Sequence, residues 1–110
     1  MRNFKNITAT FKVTEDTAFK RGTFHKDRSD FIFEVKRYES GATAYGDRSG
    51  HSVEIANHKE YMGHYFDTRY DGITTDKEKW ITFWKDWIEE QYVLKVELVA
   101  YQEETIQIED

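Results

Sequence analysis

A run of polar and aromatic residues between Tyr65 and Asp71 carries the residue types that could perform chemistry. In an extended strand, side chains two residues apart share a face, so Asp67, Arg69 and Asp71 are predicted to line up. In a functional site, an aspartate would act as general base, Arg69 would clamp an anion, and Tyr65 would donate a hydrogen bond, with His64 nearby. The same spacing is typical of an ion ladder on a solvated sheet face, where each pair contributes about 0–1 kcal/mol. The candidate polar site is therefore Tyr65, Asp67, Arg69 and Asp71, and it identifies no substrate.

The histidines lack the spacing of a preformed metal site. No two of them are separated by the i, i+4 interval of a helix or the i, i+2 interval of a strand. The chain also has no cysteine, which removes thiolate ligands and disulfides. We predict no metal and no cofactor, although a zinc site assembled by the fold is the alternative. The four histidines are His25, His51, His58 and His64.

The segment from Phe19 to Arg28 mixes basic and aromatic residues. Such a segment could bind single-stranded nucleic acid, because rings stack on bases and cations contact phosphates. A hairpin with its rings in the core and its charges in water explains the pattern equally simply. Elsewhere the sequence contains no Gly-x-Ser-x-Gly elbow and no phosphate-binding glycine loop, so no catalytic residue is predicted.

The strongest structural pattern predicts an amphipathic helix over residues 75–91. Thr75 and Glu78 match a capping box at its start. At about 100° per residue, the apolar side chains fill an arc of about 160°, which is wider than one sheet face can cover. Trp80, Trp84 and Ile88 form its middle.

Phe83 and Trp87 lie on the flank of this arc and form a candidate interaction surface. A loop, the C-terminal tail with Ile106 and Ile108, or another molecule is expected to cover them. Aromatic residues on such flanks are either core or binding hot spots.

Apolar residues alternate in period two through most of the remaining chain, which predicts strands. The predicted strands span residues 4–13, 31–38, 52–57, 60–70 and 92–102, with weaker candidates at 17–25 and 42–45 inside an otherwise loop-like 39–50. In the last strand Leu94, Val96, Leu98 and Ala100 are predicted to share a face, with Tyr101 on the other. The unit from residue 60 to 102 could be a parallel strand–helix–strand crossover.

These elements predict an α+β fold, with a mostly antiparallel sheet of five to seven strands and one helix packed on one face. The 110 residues fit a single domain, with residues 103–110 as an acidic tail that extends an edge strand or frays. There is no apolar leader and no apolar run near the ~20 residues of a membrane span, so we expect a soluble, cytoplasmic protein.

Charge is divided unevenly along the chain. Residues 1–59 hold 11 Lys/Arg and 8 Asp/Glu, whereas residues 60–110 hold 5 and 13, which gives net charges of +3 and −8. The acidic half disfavours nucleic acid as a partner. The favoured function is a small non-enzymatic interaction or regulatory module with a protein partner or as a homodimer. A ligand site or enzyme at the polar string is the alternative, and single-strand binding at residues 19–28 is a weaker one.

Overall fold

The computed structural model describes residues 2–23, 26–43, 46–61, 63–67 and 76–108. Their backbone forms a five-stranded antiparallel sheet with a long helix packed on one face, which confirms the predicted α+β class. The strand order is β4-β3-β2-β1-β5, so β4 and β5 form the two edges. In chain order the elements are β1 (Arg2–Glu15), α1 (Thr17–Lys20), β2 (Ile32–Thr43), β3 (Gly46–Ile55), β4 (His64–Asp67), α2 (Lys77–Tyr92) and β5 (Lys95–Ile108).

The core lies between α2 and the central strands, where the predicted alternation is confirmed. Every second residue of β1 from Ile7 to Val13 is buried, because each points toward the helix. The helix contributes Trp80, Trp84 and Ile88, one face of an α-helix. The other buried apolar side chains of this cluster are Phe31, Phe33, Val35, Val53, Ile55, Leu94 and Val96.

The start of α2 differs from the capping box predicted at Thr75. Asp76 is the N-cap, and its side chain accepts a hydrogen bond from the backbone N–H of Lys79 at 3.1 Å. The helix therefore begins one residue later than predicted, because an aspartate caps as well as a threonine. Val93 ends the helix in the left-handed conformation, with φ of 53°.

Two weakly patterned segments fold differently from the prediction. Residues 17–20 form α1 rather than a strand, because Asp16 accepts a hydrogen bond from the backbone N–H of Phe19 and caps a helical turn. Residues 39–43 and 46–50 are not a loop. They form the far end of the β2–β3 hairpin, in which Ser40 pairs with Arg48 and Thr43 with Gly46. Backbone pairing needs no apolar alternation, so the polar composition concealed it.

A β-bulge changes which residues of β5 face the helix. Phe11 pairs with Leu98 and Thr10 with Ala100, so Val99 is an extra residue in β5. Beyond the bulge the alternation reverses, and Tyr101 rather than Ala100 packs against the core. The predicted face was therefore correct to Leu98 and wrong beyond it.

The strand–helix–strand unit does not form the predicted parallel crossover between neighbouring strands. All four strand pairings are antiparallel, and β4 and β5 lie at opposite edges of the sheet. Helix α2 thus crosses the whole sheet. Strand β5 continues to Ile108 opposite Arg2, so the acidic tail extends an edge strand. Neither helix in the described part of the chain has the length and apolarity needed to cross a membrane.

A buried ion pair ties the end of β1 to the end of α2. Asp16 and Arg28 are only 4% and 6% exposed. The Asp16 carboxylate accepts hydrogen bonds from Arg28 Nη2 at 2.8 Å, Arg28 Nε at 3.0 Å and the Arg28 backbone N–H at 2.9 Å. Arg28 Nη2 also donates to the carbonyl oxygen of Tyr92 at 2.7 Å. Hydrogen bonds from Arg28, together with one from Phe19, hold the pKa of Asp16 at about 2.

Replacing Asp16 with Asn should lower the free energy of unfolding by about 3–5 kcal/mol, because Arg28 stays buried without its counter-charge. The pKa of Asp16 is lowered from 3.8 to about 2, so its contribution is complete above pH 4 and disappears as the pH falls toward 2. Urea unfolding at pH 7 and pH 3 measures both effects. Asp86→Asn, an exposed change on α2, is the control, and an equally large loss in that variant would contradict the assignment.

Candidate functional site

The predicted polar site falls partly on β4. Tyr65 pairs with Ser52 and lies 59% exposed on the face of the sheet opposite the helix. Asp67 pairs with Gly50 at the end of the strand. Arg69 and Asp71 lie outside the described residues, so the ladder predicted for the string stays a prediction.

Strand β4 instead brings His64 next to the predicted interaction surface. His64 pairs with Val53 and shares its helix-facing side of the sheet. Its ring lies 5.4 Å from the ring of Trp87 and 6.4 Å from that of Tyr92. Trp87 is consequently half-buried and packs against the core. Strand β4 and the last turn of α2 therefore cover this flank, which the sequence analysis did not anticipate.

The tail cannot supply that cover, because Ile106 and Ile108 pair with β1 at the opposite side of the sheet. Phe83 remains 44% exposed, with its ring edge-on to Trp84 at 5.0 Å. We call the surface formed by His64, Phe83 and Trp87 the aromatic edge.

The approach of the chain to this edge depends on a glycine. At Gly63, a Cβ atom would lie 3.0 Å from Glu54 Cγ and 3.2 Å from the carbonyl oxygen of Val53. A side chain here would force Glu54 to move or push the chain away from β3. Gly63 therefore permits β4 to begin pairing immediately afterwards, at His64.

At the opposite edge of the sheet, side chains and the bulge protect the first part of β5, residues 95–99. Glu89 of α2 accepts a hydrogen bond from the backbone N–H of Val96 at 3.0 Å, so this group of β5 is not available to another strand. Lys85 Nζ forms a salt bridge with the same carboxylate at 3.2 Å. The extra residue Val99 interrupts the ladder, and Glu97 carries charge beside it. Bulges and edge charges are the usual means by which edge strands avoid pairing with other chains.

A buried histidine lies beneath α2, and sequence analysis did not single it out. The side chain of His51 is fully buried, and its Nε2 atom accepts a hydrogen bond from Trp80 Nε1 at 2.8 Å. Indole N–H only donates, so the imidazole proton is on Nδ1, which has no hydrogen-bond partner among the described residues. Burial and the nearby charge of Arg37 lower its pKa to about 4. Its period-two spacing with Val53 and Ile55 was the signal that could have placed it in the core.

Of the four histidines, the structure describes His51, His58 and His64. The described part of the chain contains no group of three or more His, Asp or Glu side chains that could hold a metal ion. His58 instead lies 3.0 Å from Asp30 and 3.1 Å from Glu60, and hydrogen bonding to these carboxylates raises its pKa. It bridges the loop before β2 to the turn after β3.

One of the cations in the segment predicted to bind nucleic acid is buried in the fold. Arg28 is buried against Asp16, so it cannot reach a phosphate without breaking that pair. Lys20 contacts Glu15 at 2.8 Å, and Phe19 is partly exposed. Phe24 and His25 lie outside the described residues.

Replacing Glu89 with Ala should expose the edge of β5 and cause concentration-dependent association, because the N–H of Val96 loses its acceptor. Glu90→Ala removes the same charge from the neighbouring exposed position and should leave the monomer fraction unchanged. Sedimentation velocity at increasing concentration compares the two variants. If both variants associate to the same extent, Glu89 does not prevent association at the β5 edge.

His51 should carry its proton on Nδ1 at neutral pH and titrate near pH 4. Because this pKa is lowered from 6.5, the unfolded chain binds the proton first, and stability should fall as pH decreases from 6.5 toward 4. Nitrogen-detected NMR of the imidazole ring reports the tautomer and the titration. A proton on Nε2 would be incompatible with the hydrogen bond from Trp80.

The chain matches no protein-family model, and neither a curated protein nor a solved structure shows significant similarity to it. The evidence about function is therefore the geometry of the edge strands β4 and β5 and of the aromatic edge.

Proposed function

We propose that this protein is a non-enzymatic interaction module that binds an extended segment of a partner protein along β4. The observation that carries the proposal is the position of the aromatic edge. Partly exposed rings of α2 lie beside a strand that ends the sheet, and the ring of His64 on that strand contacts Trp87 at 5.4 Å. A helix alongside an edge strand is a common site for a peptide that adds to a sheet.

Strand addition would use both faces of β4. Main-chain hydrogen bonds to the edge would supply affinity, and alternate side chains of the partner would contact opposite faces. On the helix side these side chains would meet Phe83 and Trp87. On the other side they would meet Tyr65, which is 59% exposed. With β4 spanning only His64–Asp67, the paired segment of the partner is short.

The contrast between the two edges supports this assignment. Edge β5 carries a bulge at Val99 and a side-chain cap from Glu89, which discourage pairing along its first residues, 95–99. Strand β4 pairs with β3 from His64 to Asp67 without a shift of register. Trp87 packs against the core while its neighbour Phe83 still offers apolar surface, and exposed aromatic rings beside a packed core are typical of binding hot spots.

Peptides of about eight residues selected from a random library against the whole protein test the proposal. Phe83→Ala should weaken their binding by about tenfold or more, because it removes the exposed ring from the apolar contact. Val99→Ala also removes exposed apolar surface, at the β5 edge, and should have no effect. Thermal unfolding of both variants confirms that each remains folded.

Amide exchange adds a second readout for the same peptides. Bound peptide should slow exchange within His64–Asp67, because strand addition covers the outer edge of β4. Loss of binding in Val99→Ala but not in Phe83→Ala would assign the site to β5 and overturn the proposal.

A further inference from the structure

The outer rim of the aromatic edge is acidic. Asp86 and Glu90 lie three residues after Phe83 and Trp87, respectively, so each neighbours one of these rings on the helix surface. Both carboxylates are exposed, and neither has an ion-pair partner within the described ranges of the chain. Lys79 is a cation at the other end of the same side of α2, one turn before Phe83.

The rings and carboxylates together match one type of side chain. Lysine and arginine place an aliphatic stem on apolar surface and extend their charge outward. Such a stem would pack on Phe83 or Trp87, where a cation also gains from the ring face. The charged end would then reach Asp86 or Glu90. Glutamate or aspartate at the same positions would meet like charge.

We infer that the partner segment is basic, with lysine or arginine at alternate positions facing α2 and small or branched apolar residues between them. The inference rests on the proposed function, because it names the partner that the β4 edge would select. The C-terminal half of the chain favours such a partner, since residues 60–110 carry 5 Lys/Arg and 13 Asp/Glu. Lys79 would favour placing the basic residues toward the C-terminal end of the helix.

Two synthetic peptides of about eight residues test the inference, one alternating lysine with valine and the other glutamate with valine. Fluorescence anisotropy with the whole protein measures the affinity of each at about 50 and about 300 mM NaCl. The lysine peptide should bind at least about tenfold more tightly at low salt, and its affinity should fall at high salt. The double variant D86K/E90K should lower that affinity by about tenfold.

The variant E97K/E104K changes the net charge by the same amount at exposed positions of β5 and is the matched control. An equal loss of affinity for the lysine peptide in both double variants would show that the effect depends on net charge alone. That result would overturn the inference. Binding that requires Phe83 but tolerates D86K/E90K would also overturn it, while leaving the proposed function intact. Absence of Phe83-dependent binding by these peptides and by the library peptides would overturn both.

Discussion

The hydrogen-bonded pair of Asp16 and Arg28 is the interaction on which the arrangement of helix and sheet depends. Arg28 reaches from the loop before β2 to the end of β1 and to the carbonyl oxygen of Tyr92, so it fixes where α2 ends. The ring of Tyr92 in turn lies 4.9 Å from Phe33 in the core and 6.4 Å from His64 at the sheet edge. An ion pair that is not part of the aromatic edge therefore helps to set its geometry through Tyr92. Such pairs are more costly to break than to omit, which explains why both partners must be present together.

The sequence was informative where apolar residues repeat and uninformative where partners decide the structure. Period-two patterns located β1 and the start of β2, and the helical arc correctly placed Trp80, Trp84 and Ile88 in the core. The predicted alternation of faces in β5 was wrong after Leu98, because a bulge arises from the pairing of two strands and leaves no signal in the local sequence. The polar β2–β3 hairpin was missed for a similar reason, since its backbone groups pair whatever the side chains are.

For the candidate site, the helix pattern identified Phe83 and Trp87 as a flank needing cover, but not what covers it. That answer required the pairing of His64 with Val53, which sets the face on which His64 lies. Sequence analysis also did not identify which strands form the two edges of the sheet. Only the strand order shows that β5, with its capped amide and its bulge, lies at one boundary and β4 at the other. The bulge and the capped amide of β5 support the proposed function beside the position of the aromatic edge, which carries it.

The pairing of β1 with β5 also has a kinetic consequence. Its partners lie between 80 positions (Glu15 to Lys95) and 106 positions (Arg2 to Ile108) apart along the chain. Closing such a long loop costs conformational entropy before any contact is gained, and proteins dominated by distant contacts fold slowly. The local hairpins from β2 to β4 can form early, whereas Trp80 and Trp84 stay incompletely enclosed until β5 docks. During that interval the hairpins and the tryptophans expose the kind of surface that promotes aggregation, so the time needed to reach the native state is a constraint on this chain in its own right.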